Sequence, residues 1–266
     1  MKRKLYTLSH DNNLLKEIDN NGGIFTSQEH ASVMEKEFGE TFWKSKEHLL
    51  RHSLQDAFWK IGQNKFFIDL IKNNDYQNIL SLGSGGCVIE YLLKLSLPET
   101  LQVIAYDFDS FVIKKAKEFF PELIVEQFDH VKEDIGSFQN KLNIEFDCAI
   151  FFSSAYIMDD KEFIKLFGDL KKIGVKNIID FHDGYLDSWD VLRHLSNDYL
   201  IPETIRTNYY LRKILRKPTL PSGYYRGKFH GYSRSRGELR KLYKKSGLKI
   251  QKQISTGEIK YIAILG

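Results

Sequence analysis

The chain has 266 residues, 42% of them hydrophobic, with a formal net charge of +4. That length and composition allow one large domain or a domain with a cap, and a sizeable core. No run of 18 apolar residues occurs, the basic start lacks a long apolar stretch, and the two cysteines form no disulfide or zinc pattern, so a cytoplasmic protein is expected.

Charge is uneven along the chain. Residues 206–245 hold thirteen Lys or Arg against one acid, Glu238, so that segment carries +12 and the remainder −8. Such asymmetry points to a region that meets anions, or to a solvated basic face.

Residues 1–60 carry no nucleotide motif. From residue 29 to 70 the pattern is mostly helical, with breaks near Gly39 and Gly62 and an aromatic-rich face that includes Trp43, Phe58 and Phe67. Ile79, Leu80 and Leu82 form a short apolar strand. Gly83, Ser84, Gly85 and Gly86 form a turn, and Val88, Tyr91, Leu92 and Leu95 recur at helical spacing. A glycine turn between strand and helix lets backbone approach a ligand closely and offers free N–H groups at the helix start. The second strand, Val103–Tyr106, ends on Asp107, 24 residues after Gly83. An acid at about that offset reaches the tip of the neighbouring strand, where it can accept both hydroxyls of a ribose. Asp107 could instead cap the next helix, a role open also to Asp109 and Ser110.

Val125 marks a third strand, starting at Leu123. A polar stretch over 129–142 leads to a fourth, Cys148–Phe152. Residues 160–172 are an amphipathic helix with Phe163, Leu166, Phe167 and Leu170 on one face. The fifth strand is Asn177–Phe181. Residues 183–232 then lack an evident strand and exceed an ordinary connection, which reads as an insertion over the ligand crevice. Ser235 and Glu238 form a capping box before a helix that Gly247 ends, and strands at 248–254 and 258–265 close the chain.

Val88 stands where a dinucleotide fingerprint needs its third glycine. The turn instead resembles motif I of the class I S-adenosylmethionine-dependent methyltransferases, acid-x-G-x-G-x-G. Ser81 stands in the place of the acid and Cys87 in that of the last glycine. Asp107-Phe108 resembles the ribose acid and the apolar residue over adenine. Asp129-His130 resembles the acid that meets the adenine amino group and its neighbour. Phe146 to Ser154 resembles the fourth strand and its exit, and Gly174 to Ile179 the turn into the fifth.

The resemblance implies a Rossmann-like, seven-stranded, mainly parallel sheet with helices on both faces. A helical N-terminal lid (1–60), an α/β core (61–185), an insertion between strands five and six (186–231) and a closing helix and strand pair (232–266) complete it. The implied cofactor is S-adenosyl-L-methionine, held by Gly83, Ser84, Gly85, Gly86, Asp107, Phe108, Asp129, His130 and Ser153. Ligands of open α/β sheets bind beyond the carboxyl ends of the strands. His182 and Asp183, after strand five, are therefore candidates for a general base and its partner, and also for a helix-capping turn. Tyr156, after strand four, is a candidate acceptor-facing group. His230, Tyr232 and Arg234 are candidate substrate contacts in the basic region.

Two imagined pairs, Asp159-Asp160 and His182-Asp183, match no metal-binding loop, so no metal is expected. The reading favoured is O-methylation of a small, polar, anionic acceptor such as a sugar, nucleotide-sugar or phosphorylated compound. The alternatives are an RNA methyltransferase that uses residues 206–245 and a methyltransferase-like scaffold without catalysis. The fourth strand's exit lacks the Asn/Asp-Pro-Pro-aromatic signature of amino-methylating nucleic-acid enzymes, so nucleic acid is not the expected partner. The oligomeric state stays open.

Overall fold

The computed structural model describes residues 43–51, 53, 59–182, 185–186, 234–254 and 261–266. In chain order the elements are α1 (Lys46–Arg51), α2 (Trp59–Lys72), β1 (Asn78–Leu82), α3 (Val88–Ser96), β2 (Gln102–Asp107), α4 (Ser110–Phe119), β3 (Ile124–Gln127), α5 (Ile135–Leu142), β4 (Cys148–Phe152), a 3-10 turn (Ala155–Ile157), α6 (Asp160–Lys172), β5 (Asn177–Phe181), β6 (Tyr185–Leu186), β7 (Arg234–Ser235), α7 (Arg236–Lys245), β8 (Ile250–Ile254) and β9 (Ile262–Leu265).

Seven strands form one sheet in the order β3-β2-β1-β4-β5-β9-β8. β3 to β5 pair in parallel, and β9 pairs antiparallel with both β5 and β8. The chain leaves β1 outward to β2 and β3, then returns to β4 on the other side. The strand order therefore reverses between β1 and β4, and a crevice opens beyond their carboxyl ends.

Central parallel strands are buried on both faces, and their sequences are correspondingly apolar. Leu80, Leu82, Ile104, Tyr106, Ala149, Phe151 and Ile178 face one layer, packed with Phe138 of α5, Phe163 and Phe167 of α6, and Leu239 and Tyr243 of α7. Ile79, Val103, Cys148, Ile150, Ile179 and Phe181 face the other, with Phe67 and Ile71 of α2 and Ile89 and Leu93 of α3. Each such large side chain, fully buried, stabilises the fold by about 1.5–3 kcal/mol relative to exposure. Phe163 and Phe167, one helical turn apart, stack at 4.0 Å, and Phe167 stacks on Phe151 at 4.4 Å, which fixes α6 over β4.

Helix starts follow their side chains. Asp109 caps α4 by accepting from the N–H groups of Phe111 and Val112, which leaves Asp107 for another task. Asp159 with Glu162 forms a capping box at α6, and Ser235 with Glu238 forms the expected one at α7. Within the polar stretch expected as a connection, a helix, α5, occupies Ile135–Leu142 behind an Asp134 cap. A short parallel pair, Tyr185 with Arg234 and Leu186 with Ser235, joins the two sides of the long insertion.

At the opposite end of the sheet, Asp147 is a clamp. Its carboxylate accepts from the N–H groups of Gln77 and Asn78 at 2.9 and 3.2 Å and pairs with Lys176 at 3.0 Å. Burial pushes its pKa up, but those two N–H groups and Lys176 outweigh it and hold the carboxyl below the usual range. A lowered folded pKa means that the unfolded chain takes up the proton first as pH falls. The stabilisation is then full above about pH 5 and is lost progressively below pH 4. We predict that Asp147→Ala lowers the stability measured by urea unfolding at pH 7 by about 1–3 kcal/mol, with the difference shrinking in acid. A pH-independent difference would contradict this account of the clamp.

Candidate active site

The end of β2 organises the crevice. The Tyr106 carbonyl accepts from the N–H groups of Gly83 and Ser84, both at 3.0 Å, and from the Ser84 hydroxyl at 3.1 Å. One residue on, the Asp107 carboxylate accepts from Gly85 N–H at 3.0 Å with one oxygen and from Asp109 N–H at 3.1 Å with the other. The glycine turn is thus tied to the neighbouring strand at three successive residues. The turn needs its glycines: Gly83 and Gly85 have φ of +69° and +50°. A Cβ on Gly83 would lie 2.6 Å from the Ser154 Cβ. Ser154 itself donates to the Leu82 carbonyl at 2.5 Å, so the exit of β4 is stitched against the turn.

These ties frame a cavity of about 220 Å³ at the reversal point between β1 and β4. It is lined by Gly83, Gly85, Asp107, Phe108 and Asp109 and by His130, Ser153, Ser154 and Tyr156, with Tyr106, Phe151, Met158 and Leu166 among its apolar residues.

Seven expected site residues thus share one cavity: Gly83, Gly85, Asp107, Phe108, His130, Ser153 and Tyr156. Others sit behind it. Ser84 turns its hydroxyl inward to β2, and a Cβ on Gly86 would meet the side chain of Leu49 of α1 at 3.2 Å. Asp129 neighbours His130, and its carboxylate accepts from Val131 N–H at 3.0 Å and pairs with Lys132 at 2.9 Å. His182 is buried at the end of β5 and does not line the cavity. Arg234 is buried, donating to the Met158 carbonyl at 2.6 Å and to Asp160 at 3.1 Å. Asp183, His230 and Tyr232 lie outside the described residues, as do residues 187–233 of the insertion and most of the N-terminal segment.

Ser154 is expected from sequence at the exit of the fourth strand, whereas Tyr106, Met158 and Leu166 are not among the expected site residues. Tyr106 carried a signal, since it shares the alternation that places Leu82 and Phe151 on one face of the sheet.

Electrostatically the site holds three perturbed groups, and burial pushes the Tyr106 hydroxyl well above its usual range. Burial pushes Asp107 up to about 6, against the N–H donors that favour its charged form. Burial pulls His130 down to about 4, so its ring is neutral at pH 7. The Tyr106 hydroxyl and His130 Nδ1 are 3.1 Å apart, and His130 Nε2 is buried with no hydrogen-bond partner. The site therefore offers a carboxylate beside a glycine turn, an aromatic ring and a neutral imidazole over an apolar floor. That set suits a ribose and a flat heterocycle.

Strand order, antiparallel β9, glycine turn and strand-two acid together define the class I S-adenosylmethionine-dependent methyltransferase fold. Comparison with solved structures shows the same fold. Human N-acetylserotonin methyltransferase, solved with SAM, superposes at TM-score 0.53 with 17% identity, covering 95% of this chain and 65% of its own. The mitomycin 7-O-methyltransferase MmcR gives 0.54 and 14%, covering 95% and 65%. The PH0226 protein of Pyrococcus horikoshii OT3 gives 0.52 and 15%, covering 80% of this chain and 91% of its own. The chain thus spans about two thirds of the length of the first two. No protein-family model and no curated protein matches the sequence.

Two measurements test this geometry. Gly83→Ala should destabilise the protein by at least about 1–3 kcal/mol, the cost of a left-handed non-glycine backbone, with the Ser154 contact adding to it. Unchanged unfolding would show that the turn is not held as described. His130 should stay neutral in NMR titration down to about pH 4, as burial requires. Its folded pKa lies below the unfolded value of about 6.5, so between those values only the unfolded chain binds the proton, and falling pH costs stability there. A midpoint near 6.5 would contradict the burial.

Proposed function

We propose that the protein is an S-adenosylmethionine-dependent methyltransferase acting on a small, polar acceptor, with O-methylation favoured. The observation that carries this reading is Asp107. Its carboxylate braces Gly85 and Asp109 through one lone pair on each oxygen, at the wall of a cavity also lined by Phe108 and His130. The remaining lone pairs can accept from the two hydroxyls of a ribose. Phe108 supplies a ring for a base to lie on, and the glycine turn leaves room for an amino-acid tail beside backbone N–H groups. Solved proteins of the same fold support the reading, since one was solved with SAM and another is a 7-O-methyltransferase.

Methyl transfer from a sulfonium is an in-line displacement with an already activated donor. The protein's part is alignment, exclusion of water and, for a hydroxyl acceptor, removal of a proton. Ser153 and Tyr156 are the described polar groups of the β4 exit that face the acceptor end in this reading. The Ser153 hydroxyl is buried without a hydrogen-bond partner. His182 stays the proposed proton acceptor, a role that requires the acceptor to reach the buried end of β5, outside the cavity lining. The charge separation in the sequence favours an acceptor that carries phosphate or carboxylate, met by residues of the basic segment 206–245. Trp43 stacks on Phe119 at 6.1 Å, and Leu49 lies against Gly86. The described end of the N-terminal segment therefore reaches the glycine turn, as a lid for the cofactor would require.

Isothermal calorimetry should show S-adenosylhomocysteine binding at micromolar Kd, about −8 kcal/mol. Asp107→Ala should weaken it by about 1.5–3 kcal/mol. Affinity should also fall as pH drops below 6, because protonation of Asp107 removes its charge-assisted hydrogen bonds. Wild-type affinity in a folded Asp107→Ala protein would remove Asp107 from the site. No binding by the wild type would overturn the function.

A further inference from the structure

The exposed side of α7 is cationic from end to end. Leu239, Leu242 and Tyr243 turn inward to the core, whereas Arg236, Arg240, Lys241, Lys244 and Lys245 are exposed. Arg236, Arg240 and Lys244 follow at intervals of four residues and form one row along the helix. Lys241 and Lys245 form a second row beside it. At 1.5 Å of rise per residue the first row is about 12 Å long, with about 6 Å between neighbours. Lys171 of α6 extends the patch at the far end, where its ammonium donates to the Gly247 carbonyl. At the near end, Arg234 donates to the carbonyl of Met158, which lines the cavity. The row therefore starts beside the crevice and leads away from it.

That charge is not balanced within the helix. From 239 to 257 the chain has six Lys or Arg and no acid. The one acid of α7, Glu238, accepts from the Ser235 N–H and hydroxyl at 2.8 and 2.6 Å as part of the helix cap. Among the described residues, none of the five α7 cations has an ion pair. α6, packed beside α7, is built differently: its Asp169 pairs with Lys165 at 3.4 Å and with Lys172 at 2.7 Å. The helix dipole favours Lys244 and Lys245 in the last turn of α7 but opposes Arg236 in the first. Like charges four residues apart repel, and Arg236–Arg240, Arg240–Lys244 and Lys241–Lys245 are all so spaced. A face that only needs to be wet can intersperse acids and avoid that repulsion.

We propose that this face of α7 binds the phosphodiester backbone of a nucleic acid strand. The row repeats its charge along a line, as such a strand does. A single small anion needs donors that converge on it, and these stand on a convex surface. A protein interface is anchored by buried apolar or aromatic side chains, and the exposed residues of α7 are the five cations and Gly237. A helix that lies on a membrane inserts its apolar face, and that of α7 is already spent in the core, where Leu239, Leu242 and Tyr243 pack. What remains is charge alone, which is the basis of backbone binding without sequence preference. The face lies outside the cavity, so the inference needs no step of the methyl-transfer reading. The exit of the fourth strand speaks against amino-methylation of a nucleic acid, and not against a surface that holds one.

The test is fluorescence anisotropy of the full chain with a short, labelled single-stranded RNA of mixed sequence, measured across a salt series. Four or more phosphate contacts predict that affinity falls by at least about 50-fold between about 50 and 200 mM salt. The variant Arg236→Gln/Arg240→Gln/Lys244→Gln should bind at least about tenfold more weakly at low salt, and its plot of log affinity against log salt should be flatter by about 2, three contacts at about 0.7 each. A control, Lys72→Gln/Lys114→Gln/Lys141→Gln, removes the same net charge from exposed sites on α2, α4 and α5 and should bind as the wild type does. The α7 variant should unfold at no lower temperature than the wild type, since it relieves repulsion between exposed side chains. Should it unfold earlier, the single variants Arg240→Gln and Lys244→Gln each carry the same reading, with a slope change of about 0.7. An α7 variant that binds as the wild type does, or a control that loses as much, would overturn the proposal. So would a wild type that leaves the RNA unbound at about 50 mM salt, whether or not it binds phosphatidylserine vesicles.

Discussion

The end of β2 is the constraint on which the crevice depends. One carbonyl, that of Tyr106, takes two N–H groups and a hydroxyl from the glycine turn, and the next side chain, Asp107, takes a third N–H. A turn of glycines has many conformations open to it in isolation, and fixing one costs entropy. Here four hydrogen bonds to a buried strand end select that conformation. In the proposed function the same carboxylate also contacts the ribose, so one group would both set the shape of the turn and bind the ligand. Its upward pKa shift follows from burial, which keeps the charge from water and outweighs the N–H donors of Gly85 and Asp109.

The two faces of the sheet divide the work. On the α2 and α3 side the strands present an apolar surface, with Ser81 satisfied by Glu90 of α3 at 2.5 Å. On the α5, α6 and α7 side the strand ends carry Tyr106, His130, Asp180 and His182, each buried. Polar atoms are retained where strand ends and helix starts converge, near the crevice, and the middle of that layer is closed by stacked Phe151, Phe163 and Phe167. A rigid aromatic middle beneath polar ends keeps those ends in fixed register with one another.

The elements legible in the sequence were those whose side chains alternate or recur without interruption. The α6 boundaries and the span of β5 come out at 160–172 and 177–181 from both sequence and structure. The helix α5 escaped because Gly136, Ser137 and Asn140 dilute its periodicity, although Ile135 and Phe138 are buried at helical spacing. β3 was placed at its start but not its end, since Glu126 and Gln127 look like loop in a strand at the sheet edge. Within the site, a motif names residues but not the direction of their side chains. Ser84 and Gly86 belong to the turn yet face the core, and Ser153, whose φ is +51°, lies at the crevice because of a backbone conformation no sequence pattern states. Asp180 read as the interior of an apolar strand. In the structure its carboxyl is buried and accepts from the Tyr243 hydroxyl of α7.

The central claim is that the cavity between β1 and β4 holds S-adenosylmethionine with its ribose on Asp107. The most direct measurement is a crystal structure of the full chain with S-adenosylhomocysteine. The account predicts both ribose hydroxyls within hydrogen-bond distance of the Asp107 carboxylate, the base against Phe108 and the amino-acid tail along the glycine turn. A ligand bound elsewhere, or one lying in this cavity with its ribose away from Asp107, would contradict it.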